Sequence, residues 1–237
     1  HTPPAPIRCA VREFTSLVIS PLGLLMTLRL TYFDFPFWRA ETSRLALHIG
    51  GVPFEDVRPD RETFRARKAE GGYPYGQLPV LEVDGVAIAQ SAAIAVYCGK
   101  LAGLYPIDDA LMAAKVDELL ATANQISYLI SPTMRERDPE KKRALRVALG
   151  EETLPQWFAQ LDARLTTFGP GPYCVGEQLS VADLALWRML DWLTSGLLDG
   201  VPTTLLEPHA RLQALCATVA AREDVQGWMA RYHKGRS

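Results

Sequence analysis

The hydrophobic pattern of this chain changes its period near residue 106, and this change limits the folds that the chain can adopt. Residues 27–33 alternate apolar and polar side chains, which is typical of a strand with one buried face. After Pro106, apolar residues recur at helical spacing and no further strand pattern appears. The predicted helical stretches are 109–136, 139–168, 180–198, about 208–221 and 223–233. The sequence therefore predicts a small α/β domain followed by an all-helical domain, with a junction at Gly103–Ile107.

The first domain is predicted to follow the order β-α-β-(α)-β-β-α, which is a mixed sheet covered by helices. Asp84-Gly85 is a strong two-residue hairpin signal between two short apolar strands. Gly50-Gly51 ends the first helix. After the first strand, the predicted elements are a helix over Trp38–Gly50, strands over Val52–Val57, Pro79–Val83 and Val86–Ala89, and a helix over Gln90–Leu101.

Composition excludes several classes of protein. Lys and Arg total 25 against 27 Asp and Glu, a formal charge of −2, so the chain lacks the basic excess of a nucleic-acid-binding protein. The longest apolar run, Leu17–Met26, is interrupted by Ser20, Pro21 and Gly23, so no membrane span is predicted. The cysteines are widely spaced and the histidines lack metal-ligand spacing, which argues against a disulfide framework and a metal site. We therefore expect a soluble cytoplasmic protein.

Residues 1–25 differ from the rest of the chain in composition. They contain Arg8 and Arg12 with Glu13 as their only acid, together with several prolines and hydroxyl residues. Three interpretations remain open: the remnant of an organelle-targeting sequence, translated cloning sequence ahead of a start at Met26, or a docking arm. The acid-poor composition favours the first, which makes an organelle the alternative location. We place this segment outside the two domains, predicted over 26–103 and 108–237.

Several short motifs follow one another in a specific order. They are Leu30-Thr31-Tyr32-Phe33, Arg39-Ala40-Glu41, Gly76-Gln77-Leu78-Pro79-Val80-Leu81-Glu82-Val83-Asp84-Gly85, Gln90-Ser91-Ala92-Ala93-Ile94-Ala95 and Gly176-Glu177-Gln178-Leu179-Ser180-Val181-Ala182-Asp183. In this order and spacing they resemble the cytosolic glutathione S-transferases, over roughly residues 27–233. The tyrosine at the end of the first strand resembles that of the sigma-like, Tyr-type members. The resemblance implies a thioredoxin-like glutathione-binding domain, a helical domain with an electrophile pocket, a homodimer and a role in detoxification.

Tyr32 is the candidate catalytic residue. Its position alone fits a core aromatic residue, whereas the resemblance implies that its hydroxyl donates a hydrogen bond to the glutathione sulfur. A free thiol has a pKa of about 8.5, and lowering that pKa by about two requires about 2.7 kcal/mol. One hydrogen bond to a charged group supplies about 1.5–3 kcal/mol, so one hydroxyl can provide much of this change. Arg39 is expected to add positive charge, with a surface ion pair to Glu41 or Glu70 as the alternative.

Leu78-Pro79 precedes the third predicted strand. An X-Pro bond adopts the cis form at modest cost. The spacing from this pair to the hairpin and the next helix favours cis over a trans proline that merely opens an edge strand. The resemblance implies that the backbone of Leu78 pairs with the cysteinyl part of glutathione, and that Gln77 faces the glycine carboxylate.

Gln90 and Ser91 stand where a helix is predicted to begin. Backbone N–H groups and the helix dipole favour a carboxylate at such a position. Simple N-capping by Ser91 is the alternative, and the two roles are compatible. The resemblance implies that these two residues bind the γ-glutamyl end of glutathione.

Phe64 and Lys68 lie four residues apart on a predicted short helix rich in arginine. A charged run of this kind is usually a solvated helix face. The resemblance implies that Lys68 binds the glycine carboxylate of glutathione and that Phe64 replaces a tryptophan at that site. In the helical domain it implies an acidic residue that reaches the glutathione of the neighbouring subunit. Gln125 stands among the corresponding positions and is expected to bind the amino group of glutathione without a charge.

The electrophile pocket has the weakest sequence signal, because aromatic and methionine residues at helical spacing are more often core. The candidates are Phe37, Tyr128, Pro132, Met134 and Arg135. Ser180 and Asp183 fit a capping box at a helix start, which is a structural role.

The function predicted from the sequence is transfer of the glutathione thiolate to small apolar electrophiles, with glutathione as co-substrate and no metal. An isomerase or peroxidase reaction that uses the same thiolate is compatible with this prediction. The alternative is a non-catalytic structural or assembly subunit. The bulky segment Pro36-Phe37-Trp38, the absent acidic residues and the additional N-terminal segment favour it.

Overall fold

The computed structural model describes residues 17–19 and 25–233. The strands are β1 Leu17–Ile19, β2 Leu25–Thr31, β3 Glu55–Val57, β4 Val80–Val83 and β5 Val86–Ala89. The helices are α1 Trp38–Ile49, α2 Arg61–Ala69, α3 Ser91–Ala102, α4 Ala110–Arg135, α5 Pro139–Ala148, α6 Leu154–Phe168, α7 Val181–Thr194, α8 Ala210–Ala220 and α9 Glu223–Tyr232. A 3-10 turn covers Pro74–Gly76, and a π-helical turn over Leu149–Thr153 joins α5 to α6.

The sheet is mixed, as the order of the predicted elements required. β2 lies between β3, which is parallel to it, and β4, which is antiparallel to it. β4 and β5 form the predicted hairpin through Asp84 and Gly85, which have φ values of 48° and 82°. Positive φ at both central residues suits a tight hairpin turn, and an Asp-Gly pair adopts it readily. No strand follows β5 within residues 90–233, so the change of period near residue 106 correctly predicted the helical half.

β1 is an element that the sequence pattern did not predict. Its residues 17–19 pair antiparallel with residues 25–27 of β2. The nearby Ser20, Pro21 and Gly23 break the alternation on which strand prediction depends. Residues 17–19 therefore extend the sheet. Residues 1–16 and 20–24 lie outside the described residues, so the structure does not address the targeting, cloning or docking interpretations of this segment.

The helical domain is built around α7, in which almost every side chain is buried. The predicted capping box at its start is confirmed. The Asp183 carboxylate accepts hydrogen bonds from the Ser180 N–H at 2.6 Å and the Ser180 hydroxyl at 2.7 Å. It also accepts one from the Cys174 N–H at 2.5 Å, which joins the preceding loop to the helix start.

The two halves meet along α1, and their packing places the start of that helix. Trp38 is fully buried, and its indole N–H donates to the Ser127 hydroxyl of α4 at 2.7 Å. At the other side, the fully buried Glu41 accepts hydrogen bonds from Trp228 and His233 at the end of the described chain. These contacts hold Arg39, between Trp38 and Glu41, at the junction of the two halves.

Among the described residues, no helix combines the length and the apolar composition that crossing a bilayer requires.

Candidate active site

A cavity of about 400 Å³ opens between the end of β2, the loops of the first domain and one face of α4. Most residues singled out from the sequence line it. These are Tyr32, Arg39, Phe64, Lys68, Gln77, Leu78, Pro79, Gln90, Ser91, Tyr128 and Arg135. The chain thus brings together groups that are separated by up to about a hundred positions in the sequence.

Tyr32 follows the last residue of β2 and is 7% exposed. Its backbone N–H donates to the Val57 carbonyl at 3.0 Å, and its carbonyl accepts from the Arg44 guanidinium at 3.3 Å, so the main chain is held on both sides. Its hydroxyl has no hydrogen-bond partner among the described residues. Burial raises the pKa of Tyr32 above its ordinary value of 10.0, although the charges of Arg39 and Arg44 oppose this rise. The phenol therefore stays protonated at neutral pH and can act as a donor.

Arg39 is the cation next to this hydroxyl in the cavity. Its guanidinium donates to the Asn124 side-chain oxygen of α4 at 3.4 Å and lies 5.9 Å from the ring centroids of Trp38 and Tyr128. It forms no ion pair with a described residue, so the alternative of a surface ion pair with Glu41 or Glu70 is wrong for this part of the chain. An unpaired cation here favours an anion in the cavity.

Ser91 is the first residue of α3 and is 3% exposed, and its hydroxyl has no hydrogen-bond partner in the described protein. Gln90 is the capping residue, with φ 77°, and its side chain makes no capping hydrogen bond. Ser91 therefore does not act as the simple N-cap considered above. A buried hydroxyl without a partner, beside the free N–H groups of a helix start, fits a bound carboxylate.

The Leu78–Pro79 peptide bond is cis, as predicted. Leu78 and Pro79 line the cavity, and so does the exposed Gln77 that precedes them. The backbone before β4 therefore borders the space between Tyr32 and the start of α3.

Phe64 and Lys68 enter the cavity from α2, which has no buried residue. Phe64 stacks on Tyr73 at 5.6 Å between ring centroids and meets Phe33 edge-on at 5.1 Å. The Lys68 ammonium lies 5.8 Å from the Phe64 ring centroid and packs on Gly76, where a Cβ atom would lie 3.1 Å from its Cε. The arginine-rich helix is solvated, as its composition indicated, but this face of it turns toward the cavity.

Phe37 does not line the cavity. It is 6% exposed and packs on Trp192 of α7 with 4.7 Å between ring centroids. Arg188 of the same helix donates to the Pro36 carbonyl at 2.6 Å. The bulky segment Pro36-Phe37-Trp38 therefore packs between the two halves. On the α7 side, the Trp192 ring contacts Phe37 and the Arg188 guanidinium donates to the Pro36 carbonyl.

Three further candidates on α4 lie outside the cavity lining. Gln125, Pro132 and Met134 are exposed and do not line the cavity. Tyr128 and Arg135, seven residues apart, share the face that borders the cavity. The sequence indicated a helix that borders the cavity, but which of its residues line the cavity depends on packing.

The structure also adds cavity residues that the sequence did not single out. Ser131 lines the cavity between Tyr128 and Arg135, and Asn124 contacts Arg39. The spacing 124, 128, 131 and 135 is that of one helix face, and this periodicity was the available signal. Nothing in the sequence indicated that Arg44 contacts the Tyr32 carbonyl, since an arginine three residues from a glutamate on a helix is usually exposed.

No group of three or more His, Cys, Asp or Glu side chains that could hold a metal ion occurs among residues 17–19 and 25–233. The described residues that line the cavity include no Asp or Glu. The site therefore suits an anionic ligand with separate carboxylates, held by a helix start at one end and a lysine at the other.

Comparison with known proteins identifies the family. Residues 28–100 match the family model described as glutathione S-transferase, N-terminal domain, and residues 125–231 match the model of its C-terminal domain. Glutathione S-transferase 1 of Ascaris suum is 33% identical over 213 residues, which cover 85% of this chain and 95% of that protein. Hematopoietic prostaglandin D synthase of Gallus gallus is 31% identical over 204 residues, covering 85% and 94%.

Solved structures show the same architecture. The structure of prostaglandin synthase D of Nilaparvata lugens superposes with a TM-score of 0.75 at 32% identity, covering 86% of this chain and 98% of that one. Both domain models match in their expected order, and the curated relatives align over nearly their full lengths. On this evidence the chain belongs to the glutathione S-transferase family.

Proposed function

We propose that this protein is a glutathione transferase, in which Tyr32 stabilises the glutathione thiolate for attack on an electrophile. The observation that carries the proposal is the unpaired, buried hydroxyl of Ser91 at the start of α3, in one cavity with the unpaired hydroxyl of Tyr32. The Ser91 hydroxyl suits the γ-glutamyl carboxylate of glutathione, and the Tyr32 hydroxyl suits its sulfur. Relatives named glutathione S-transferase support the same reaction.

The chemistry follows from the protonation state of Tyr32. The thiol loses its proton to solvent, and the phenol, kept protonated by burial, donates a hydrogen bond to the thiolate that remains. The charge of Arg39 favours the same ionised form. The thiolate then forms a carbon–sulfur bond with the electrophile, and with an aryl halide the halide leaves with the electron pair.

The remaining groups suit the rest of the tripeptide. Lys68, with Gln77 beside it, would bind the glycine carboxylate, and Phe64 would cover this end of the ligand. Leu78 would offer its backbone to the cysteinyl part, and Gln90 with Ser91 would hold the γ-glutamyl part. Binding at both ends holds the sulfur beside Tyr32, which supplies proximity as well as a lowered thiol pKa.

Finer assignments belong to the same proposal. We assign the protein to the Tyr-type, sigma-like members, with a glutathione-binding domain over 26–103 and a helical domain over 108–237. We expect a cytoplasmic homodimer with a role in detoxification. Sedimentation equilibrium on the purified protein tests the dimer, and a mass of one chain at micromolar concentration would contradict it.

A glutathione-dependent isomerase is the second candidate. It is favoured by the similarity to proteins named prostaglandin D synthase, one among the curated relatives and one among the solved structures. The same thiolate would serve in both reactions. The structural-subunit alternative is not favoured, because curated relatives are named as transferases. Phe37, one of the bulky residues that suggested this alternative, packs against Trp192 instead.

The test compares wild-type protein with Tyr32→Phe. We expect glutathione-affinity retention of both and conjugation of a model chloronitrobenzene by the wild type. Loss of a hydrogen bond to a charged group, about 1.5–3 kcal/mol, should lower kcat/KM by about tenfold or more and raise the apparent thiol pKa in the pH–rate profile. If Tyr32→Phe retains the full rate and the same profile, the role of Tyr32 is wrong. Retention without wild-type turnover would indicate a binding protein instead.

A further inference from the structure

The active-site cavity holds more positive charge than the proposed glutathione site needs. Arg39, Lys68 and Arg135 line it, and the described lining residues include no carboxylate. None of these three forms an ion pair with a described residue. Cations gathered without a counter-charge repel one another, so the cavity favours ligands with several negative charges.

Glutathione, placed as proposed above, pairs with two of these cations. Its glycine carboxylate meets Lys68, its thiolate meets Tyr32 and Arg39, and its γ-glutamyl carboxylate meets the start of α3 at Ser91. This placement leaves no anionic group of the tripeptide for Arg135. The remaining cation therefore faces the space in which the second substrate must bind.

The geometry of α4 places that cation toward one end of a helix face whose other end lies beside the proposed thiolate. Asn124, Tyr128, Ser131 and Arg135 recur at spacings of four, three and four residues, so they lie on one face of the helix. Arg39 contacts Asn124 and the Tyr128 ring, which fixes that end of the face beside the proposed thiolate. Arg135 lies seven residues beyond Tyr128, or about 10 Å along the helix axis.

The side chains between these two ends are suited to an elongated molecule. The Tyr128 ring is 62% exposed and offers an apolar surface midway. The expected apolar pocket is absent from this side, because Phe37 is buried against α7 and neither Pro132 nor Met134 lines the cavity. On α4 the second substrate therefore meets one aromatic ring, one hydroxyl and one cation, those of Tyr128, Ser131 and Arg135.

We propose that the electrophile carries a carboxylate, which Arg135 binds about two turns of α4 beyond Tyr128. Its apolar chain lies across Tyr128 and its reactive end lies beside Tyr32. The inference rests on the proposed transferase function and replaces a wholly apolar substrate with an amphipathic, anionic one.

A suitable probe is a medium-chain trans-2-alkenal with a terminal carboxylate, compared with its methyl ester. The thiolate adds to the β-carbon, the electron pair of the double bond moves to the α-carbon, and that carbon takes one proton from solvent. This proton balances the one that the thiol released, so no other reactant is needed. The two probes have the same reactive end and differ only in charge at the far end.

The experiment compares the wild type with Arg135→Gln and, as the matched control, Arg137→Gln. Arg137 is exposed two residues beyond Arg135, carries the same charge and does not line the cavity. An exposed charge pair is worth up to about 1 kcal/mol, so we expect Arg135→Gln to lower kcat/KM for the carboxylate about fivefold, mainly through KM. The ester should be unchanged in Arg137→Gln and should lose clearly less than the carboxylate in Arg135→Gln, and the carboxylate preference should fall as salt is added.

Equal effects of Arg135→Gln on both probes, or an effect of Arg137→Gln as large as that of Arg135→Gln, would overturn the inference. If the wild type turns over neither probe, the transferase proposal is contradicted, but the preference for an anionic electrophile is not. Calorimetric binding of the saturated, unreactive acid and its ester, in the presence of S-methylglutathione, then decides. A preference for the acid that Arg135→Gln abolishes supports the inference, and equal affinities contradict it.

Discussion

Ser91 shows how a single side chain can indicate a ligand. Its hydroxyl is buried and unpaired in the described protein, although the residue lies in the first turn of a helix, where donors and acceptors are plentiful. An unsatisfied buried group costs about 1–3 kcal/mol of folding free energy. A carboxylate bound at the start of α3 would satisfy both this hydroxyl and the free N–H groups beside it.

Ser91→Ala should therefore weaken glutathione binding and leave the fold intact. We expect KM for glutathione to rise about tenfold, since a hydrogen bond to a charged group is worth about 1.5–3 kcal/mol, while kcat changes little. The free energy of unfolding without ligand should stay the same or rise, because no existing hydrogen bond is lost. Steady-state kinetics and urea denaturation measure the two. A loss of stability with an unchanged KM would show that Ser91 only supports the helix.

At this scale the sequence singled out residues that the fold brings into one cavity, and it left their roles open. Tyr32, Lys68 and Ser91 were all expected at the site, and all three line the cavity. The local sequence could not show whether Ser91 caps the helix or binds a ligand, because a serine at a helix start suits both roles. The structure separates them, since the hydroxyl makes no capping hydrogen bond.

At the scale of elements, the segment between β2 and α1 is held by α7. The Arg188 guanidinium donates to the Pro36 carbonyl and to Asp191, each at 2.6 Å, and Phe37 packs on Trp192. The segment leads directly into α1, which carries Arg39 into the cavity. Its bulk therefore stabilises the position of the site without entering it.

Arg188→Met should loosen this segment. It leaves the buried Pro36 carbonyl unpaired, so we expect a loss of about 1–3 kcal/mol in unfolding free energy and a severalfold fall in kcat/KM. Asp191→Asn is the matched control, because it removes the ion pair and keeps the bond to Pro36. Denaturation and conjugation rates should therefore show a larger effect for Arg188→Met than for Asp191→Asn. Equal effects of the two variants would mean that the Arg188–Asp191 ion pair, and not the bond to Pro36, accounts for the losses of stability and activity.

The capping box of α7 makes a purely structural prediction. Asp183 is fully buried and accepts three hydrogen bonds from Ser180 and Cys174, so Asp183→Asn should lower the free energy of unfolding by about 2–4 kcal/mol. Asp109→Asn, at the exposed start of α4, should cost about 1 kcal/mol or less. Urea denaturation compares the two. A changed KM for glutathione in folded Asp183→Asn protein would contradict a structural role.

At the scale of the molecule, a buried charge cluster joins the end of the described chain to the backbone of Tyr32. Glu41 accepts hydrogen bonds from Trp228 at 2.5 Å and His233 at 2.9 Å, and it pairs with Arg44 at 3.3 Å. Arg44 also binds Asp56 and the Tyr32 carbonyl. α9 is thereby attached to the first domain through groups that also support the site.

The acid stability of the protein should depend on this cluster. Burial by itself would raise the pKa of Glu41, but the hydrogen bond from His233 and the charge of Arg44 hold it below its ordinary value of 4.5. Because the folded pKa is lower than the unfolded one, the stabilisation is complete above about pH 5 and disappears as pH falls through the folded pKa. Glu41→Gln should cost about 3–5 kcal/mol at neutral pH and progressively less in acid.

Urea denaturation across pH measures that difference, with Glu55→Gln as the control. Glu55 forms a half-exposed pair with Arg29, so its removal should cost about 1 kcal/mol or less at any pH. Hydrogen exchange should show faster opening of α9 in Glu41→Gln than in the control. A gap between wild type and Glu41→Gln that stays constant from neutral to acid pH would contradict the role of the ionised carboxylate.

The sequence by itself determined the two-domain plan, the mixed sheet, the Asp84-Gly85 hairpin and the capping box at Ser180. These features depend on local periodicity and turn chemistry, which neighbouring residues specify among themselves. Only the tertiary structure decided which face of α4 borders the cavity, that Phe37 packs in the core, and that Glu41 meets His233, 192 positions away. Such choices depend on the free energy of packing against partners that are remote in the sequence, and no local pattern contains that information.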